Sequence, residues 1–323
     1  MRATRLLIPT VLIALVALMV PPLALTAGAR PFIRPEGTKA QLQKLDNSPF
    51  SAGKRLDSKQ PEPAEPYVPQ STCVPFEQPG VAAFRTLAYK VYPRSSFEKN
   101  NYNIQRACSV PGVSEHLEGR AFDFKADIHV RWQRLQAQAF LDWLTADEGA
   151  QAKRFGIMYM IWNQHVWNQE SQSWRLMEDR GDDTANHRDH IHFSFTWNGA
   201  LKRTSYWTGE TPPTDYGPCR PYLNLLAAWP SLQPNRAPNV EPCVEPEPIP
   251  AQLRNFTPII PGQSSDRVNR LQRFLQRQDF GGQVSGYYWS DTYLAVRRFQ
   301  KARDIAPTGV WDRITQAATG RRF

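Results

Sequence analysis

The sequence predicts an α+β domain built on an antiparallel sheet, followed by a small all-α module of three helices. Three observations carry that prediction. Between residues 71 and 228, a segment of helical period lies among aromatic, apolar and alternating segments of strand character. A proline-rich stretch then interrupts the chain, and only helical periodicity follows it. Finally, 323 residues exceed one ordinary domain, and contents of 41% hydrophobic and 11% aromatic residues suffice to build real cores.

The elements follow in chain order. Arg2 and Arg5 precede an apolar run from Leu6 to Val20, then Pro21-Pro22 and Ala27-Gly28-Ala29. This is the charged, apolar and small-residue succession of a signal peptide, expected over 1–29. The run is short for a membrane span, which needs about 20 residues; an uncleaved anchor is the alternative. Either way the bulk of the protein is expected outside the cytoplasm. Residues 30–70 are rich in Pro, Lys, Gln and Ser without periodicity, and read as a disordered tether. The four cysteines suit an exported chain with disulfides. Nearness in sequence favours Cys73–Cys108 and Cys219–Cys243, and the lack of any CxxC spacing argues against a cysteine zinc cluster.

In the domain at 71–228, "RWQRLQAQAFLDWLTADEG" reads as a helix, with Leu135, Ala139, Trp143 and Leu144 recurring at three or four. "GIMYMIWN", 156–163, reads as a strand turning at Asn163-Gln164 into "HVWN". "HIHFSF", 190–195, alternates: His190, His192 and Ser194 face one way, and Ile191, Phe193 and Phe195 the other. Nine prolines from Pro230 to Pro261 form a semi-rigid spacer, taken as a linker over 229–255. In the last unit, 256–323, Val268, Leu271, Phe274 and Leu275 mark one helix, and Leu294, Ala295, Val296 and Phe299 a second. "PTGVWDRITQAATG" is a turn into a third. Such a unit of about 65 residues is only marginally stable by itself.

Charge is unevenly placed. The formal net charge is +9, yet Asn255 to Phe323 holds eleven Lys/Arg against five Asp, a net +6. A basic terminal module points to an anionic surface such as a cell wall; charge alone would equally suit nucleic acid.

All six histidines lie between 116 and 192. "SEHLEGRAFDF" sets His116 seven residues before Asp123, and Asp123 sits between Phe122 and Phe124. "NHRDHIHF" holds His187, His190 and His192. Imidazoles and a carboxylate on the face opposite apolar neighbours suit a zinc site with three protein ligands and one open position. His116, Asp123 and one strand histidine would supply N, O and N donors. His129 and His165 fall outside both motifs and read as surface residues.

Ser114, His116, Gly119, Ala121 and Asp123 form S-x-H-x-x-G-x-A-x-D. This pattern resembles the family of zinc D-Ala-D-Ala carboxypeptidases and murein endopeptidases. "NHRDHIHFSF" is similar to the second metal motif of its actinobacterial and phage-lysin branches, and the likeness runs over about 75–200. The resemblance implies a zinc peptidase with His116, Asp123 and His192 as metal ligands. It implies a base among His187, His190 and Asp189; the H-x-x-H-x-H spacing is closer to the murein endopeptidase branch, which favours the two histidines, and Asp189 would in addition point away from His190 and His192 if the strand began that early. Arg106 is a candidate for steadying a developing oxyanion. Val268-x-x-Leu271-Gln272, Gly286-Tyr287, Thr292-x-x-Ala295-Val296-x-x-Phe299-Gln300 and Gly309-Val310 resemble the peptidoglycan-binding domain type 1. In that module Gln272 and Gln300 read equally as structural or ligand-facing. The expectation is a secreted or wall-bound zinc hydrolase of peptidoglycan peptides, with peptidoglycan as partner and neither nucleic acid nor membrane beyond the N-terminal anchor. A wall-binding protein without activity is the alternative, and a nuclease would need its basic charge beside the metal.

Overall fold

The computed structural model describes residues 44–46, 48–54, 62–74, 76–96, 104–106, 113–220, 222–223, 225–227, 236–249 and 251–319. The segment expected to be a signal peptide lies outside these, as does Cys108. Among the described residues no helix is long and apolar enough to cross a membrane.

A five-stranded antiparallel sheet forms the larger domain, in the order β1 (Ala121–Lys125), β5 (His190–Phe195), β2 (Ile157–Trp162), β3 (His165–Asn168) and β4 (Ser173–Leu176). The turn between β2 and β3 is the expected Asn163-Gln164 pair. Both residues take positive φ, 48° and 62°, the hand that matches the twist of a two-residue hairpin.

Alternation sorts the two faces of β5. Phe193 pairs with Phe122 and Ile191 with Phe124, so these four share one face. Phe84, from the helix Pro79–Val91, packs there at ring distances of 5.3 Å to Phe193, 5.2 Å to Phe195 and 5.0 Å to Phe155. The long helix, Arg131–Phe155, adds Phe140 and buries Ala139, Trp143 and Leu144 as its periodicity predicts, while Leu135 is only half-buried. It breaks at Ala146–Gly149, where Asp147 and Glu148 have positive φ. A Cβ on Gly149 would come within 2.7 Å of the Trp167 ring, so glycine lets the break close against β3.

Described parts of the expected tether and of the proline-rich stretch make contacts with the larger domain. In the supposed tether, Leu45 and Phe50 are buried, Phe50 stacks 5.1 Å from Phe140, and Trp143 Nε1 donates to Asp46 at 2.8 Å. Their apolar side chains have a core to enter, which composition alone does not reveal. From the proline-rich stretch, Arg236 and the Asn239 amide donate to buried Asp215 of the larger domain at 2.8 and 3.0 Å. Tyr216 N–H donates to Asn239 O and Leu223 N–H to Glu247 O, both at 2.8 Å. The disulfide Cys219–Cys243 locks this strap, as sequence proximity suggested. Cys73 is also disulfide-bonded.

Near the strap, Asn198 Nδ2 donates to Glu65 Oε1 at 3.1 Å. Burial, reinforced by the nearby Asp215 and Glu62 carboxylates, pushes the Glu65 carboxyl up to about 8. The folded state therefore holds a proton that the unfolded chain releases near its ordinary 4.5. The resulting stabilisation is full below 4.5 and is lost as pH rises toward about 8. Glu65→Gln should remove this slope. The difference in urea midpoint between variant and wild type should move in the variant's favour as pH rises through that window; a constant difference would contradict the assignment.

The C-terminal module contains helices Asp266–Arg277, Ser290–Ala302 and Arg313–Ala317. Ser265 Oγ and Asp312 Oδ1 cap the first and third by accepting the Val268 and Thr315 amides. Its core holds every predicted apolar residue except Leu294, which faces outward, and adds Trp311 between Phe274 and Phe299. Gln272 and Gln300 are structural and do equivalent jobs. Gln272 accepts the Gly286 amide at 2.9 Å and donates to Thr292 at 2.8 Å. Gln300 accepts the Gly309 amide at 2.9 Å and donates to Thr315 at 3.0 Å. Each buried amide thus ties a glycine turn to the next helix, a repeated brace in a unit with a small core.

Candidate metal centre

The first motif is explained by its turn. Ser114 Oγ accepts the His116 amide, the chain makes one 3-10 turn over Glu115–Glu118, and Gly119 ends it with φ of 65°. A Cβ at Gly119 would lie 2.2 Å from the Phe76 carbonyl oxygen, so the position requires glycine twice over. The turn holds His116 above β1, where Asp123 pairs directly with His192 of β5.

His116, Asp123 and His192 converge in a buried site. His116 Nε2 lies 3.2 Å from Asp123 Oδ1 and 3.2 Å from His192 Nδ1, and the latter two atoms are 3.0 Å apart. Ligands about 2.0 Å from a tetrahedral centre sit about 3.3 Å from one another, so these atoms fit a zinc-sized cation.

Partners on the far side set each tautomer. His116 Nδ1–H donates to the Ile104 carbonyl at 2.9 Å, which leaves Nε2 as a lone pair for the site. Ser194 Oγ donates to Glu115 Oε2 at 3.3 Å, so it accepts from His192 Nε2–H at 2.9 Å and leaves Nδ1 free. Tyr159 OH donates to the same Glu115 oxygen at 2.6 Å, and its ring stacks 5.6 Å from His192. Burial pushes the Asp123 carboxyl up, but His116 and His192 outweigh it and hold the group well below the usual carboxylate range. Burial acts the same way on Glu115, and Arg120 with the Tyr159 hydrogen bond brings it down.

Ser194→Ala and Glu115→Gln should each weaken zinc binding by about 10–100-fold, the usual cost of losing an outer hydrogen-bond partner. Competition with a chromogenic chelator measures this. Unaltered affinity in both variants would show that the relay does not orient His192.

The other sequence candidates also gather here. His190 lies with Nε2 3.6 Å from Asp123 Oδ1, and its Nδ1–H donates to Asp189 Oδ1 at 2.7 Å. Asp189 therefore does not point away from His190. The strand begins only at His190, so Asp189 is free of its alternation. His187 adopts φ of 53° in the preceding loop and brings its ring 4.7 Å from His190 and 5.6 Å from His192. Its Nδ1 is buried without a hydrogen-bond partner. Burial, then the charges of His192 and His190, lowers its pKa to about 3. Arg106 stands at the rim, half exposed, with a guanidinium nitrogen 3.7 Å from Asp123 Oδ2. Away from the centre, His129 is exposed and pairs with Asp183, and half-buried His165 bonds the Asn163 carbonyl.

Sequence reasoning assigned no role to Glu115, Tyr159, Ser194 or the Glu118–Arg120 pair. The available signal was Ser194's place on the histidine face and Glu115's place beside His116. Glu118 and Arg120 are fully buried and joined at 2.5 Å. Glu118 also accepts the Ser71 and Thr72 amides at 2.8 and 3.1 Å, and Arg120 donates to the Val68 and Phe195 carbonyls at 2.6 and 2.9 Å. Burial pushes the Glu118 carboxyl up, against the pull of Arg120 and the Ser71 amide. This cluster fixes the floor of the His116 turn.

Comparison with protein families matches residues 78–188 to the family described as VldE, C-terminal domain, and residues 264–318 to the peptidoglycan binding domain. The first match spans the His116–Asp123 motif and ends just before β5; the second covers all three helices of the C-terminal module. No curated protein and no solved structure matches the chain. Together, fold and matches define an α+β domain with a three-residue candidate metal centre, joined to a peptidoglycan-binding module.

Proposed function

We propose that the chain is an exported zinc-dependent hydrolase of peptide bonds in bacterial peptidoglycan, held on its polymer by the C-terminal module. The observation that carries this reading is the convergence of His116, Asp123 and His192, each histidine with its free lone pair set by a partner behind it. Zinc held there supplies Lewis-acid polarisation of a carbonyl and acidifies a water.

The chain's own residues supply the rest. His190 Nε2 faces the centre as a proton acceptor because Nδ1–H is committed to Asp189, the nucleophile–base–orienter logic of many hydrolases. It takes a proton and returns it to the leaving amine. Asp189 orients it rather than acting as the base. His187, whose ring lies 4.7 Å from His190, lines the same side of the centre. Arg106 at the rim is placed to steady negative charge on the substrate.

The test is to purify the exported chain, measure bound zinc, and follow new amino groups released from insoluble peptidoglycan, with mass spectrometry of the fragments. Near-stoichiometric zinc with no amine release would instead favour a wall-binding protein without activity. Deleting 256–323 should reduce co-sedimentation with insoluble wall by about 10²-fold or more, while turnover of a soluble peptide changes little, because tethering acts through effective concentration. Equal losses in both assays would contradict the division of labour. The nuclease reading lacks support, since the basic charge lies in the C-terminal module rather than beside the metal centre.

A further inference from the structure

The strap formed by the proline-rich stretch creates a cleft that the metal centre does not account for. The cleft has a volume of about 450 Å³, and its walls include Tyr67, Tyr216, Pro218, Arg220, Pro242 and Glu245. The Cys219–Cys243 disulfide joins the wall bearing Pro218 and Arg220 to the one bearing Pro242 and Glu245. Two intermediary residues, Tyr159 and Glu118, link the cleft to the metal centre. Tyr67 lies 6.2 Å, ring to ring, from Tyr159, and Tyr159 stacks on His192. Ser71, also in the lining, donates its amide to Glu118 in the turn that carries His116.

The lining has a definite chemistry. Prolines and tyrosines offer rigid apolar walls that lose little entropy on binding. Arg220 and Glu245 add one cation and one anion, and neither forms an ion pair with another described residue. A ligand that satisfies all of this is a short peptide with aliphatic stretches, one free carboxylate and one free ammonium.

We propose that this cleft is a substrate subsite that holds the wall peptide beside the scissile bond, with Arg220 reading a carboxylate and Glu245 an ammonium. The proposal rests on the hydrolase reading for its substrate, although the site itself does not depend on catalysis. It gives the strap and its disulfide a purpose beyond spacing two domains, because they shape the specificity wall of the active site.

The experiment measures equilibrium binding by calorimetry to the full-length, zinc-depleted chain, so that no turnover intervenes. The probe is the synthetic peptide N-acetyl-L-Ala-γ-D-Glu-L-Lys-D-Ala-D-Ala amide, whose blocked ends leave one free carboxylate, on the glutamate, and one free ammonium, on the lysine. Two analogues accompany it, one with the glutamate α-carboxylate amidated and one with the lysine acetylated. Arg220→Gln should weaken binding of the parent peptide by about tenfold and leave the amidated analogue unchanged; Glu245→Gln should do the same for the parent and spare the acetylated analogue. Glu245 is exposed and Arg220 half-buried, and neither belongs to the buried core, so neither variant should unfold; the urea midpoint checks this. If either variant weakened parent and matching analogue equally, or weakened neither, the subsite would be overturned. If the discrimination appears but peptidoglycan is never cleaved, the subsite stands and the hydrolase reading falls. If cleavage occurs without the discrimination, the reverse holds.

Discussion

On the proposed zinc-hydrolase reading, replacing His116 or His192 with alanine should empty the candidate metal centre. Zinc content is expected to fall from about one ion per chain to a small fraction of that, because two remaining protein ligands do not make a closed set of three. Hydrolysis of wall peptide should fall with it, by more than the 10–100-fold that an outer partner alone costs. The effect should be local. His116 sits in a one-turn helix, and His192 projects from the face of β5 opposite the aromatic core. Neither residue lies in the three-helix module, so wall sedimentation and the module's own thermal transition should persist. Metal analysis of the dialysed variants decides the matter: either one retaining a full complement of zinc would refute the ligand set.

The second large effect is on stability. Glu118→Gln keeps the shape of the side chain and removes its charge, which takes the directly bonded partner from the fully buried Arg120 guanidinium and leaves it the Glu115 charge alone. Breaking a buried ion pair from one side typically costs about 3–5 kcal/mol, since the remaining charge keeps its desolvation penalty and loses its partner. Urea denaturation should show that loss as a lower midpoint with an unchanged slope. The double change Glu118→Gln with Arg120→Met should recover part of it, because the buried guanidinium charge is then gone. A single variant as stable as wild type would mean that the pair is not what supports the turn. The same variant should also lower metal affinity, since the Glu118 turn positions His116.

Both predictions depend on how the chain brings distant residues together, and the two parts of the site differ in how far they could be foreseen. His116 and Asp123 share one short segment, and the alternation of "HIHFSF" placed His190, His192 and Ser194 on one face before any pairing was known. Only packing revealed that β5 lies between β1 and β2, with Asp123 opposite His192 and Tyr159 opposite Ser194. The Tyr159–Glu115–Ser194–His192 relay follows from that order and has no signature along the chain.

The sequence alone settled the local matters: which stretches bury one face, where Gly119 and the Asn163-Gln164 hairpin must turn, and which residue types could ligate a cation. These depend on the period and conformational range of neighbouring residues, which a linear pattern records. Tertiary structure decided that Phe50 enters the core, that the proline-rich segment is a strap, that Asp189 hydrogen-bonds His190, and that Glu118 and Arg120 pair in the interior. Each of those outcomes is set by which surfaces are left to be covered once the sheet has formed, and that information belongs to the folded chain as a whole.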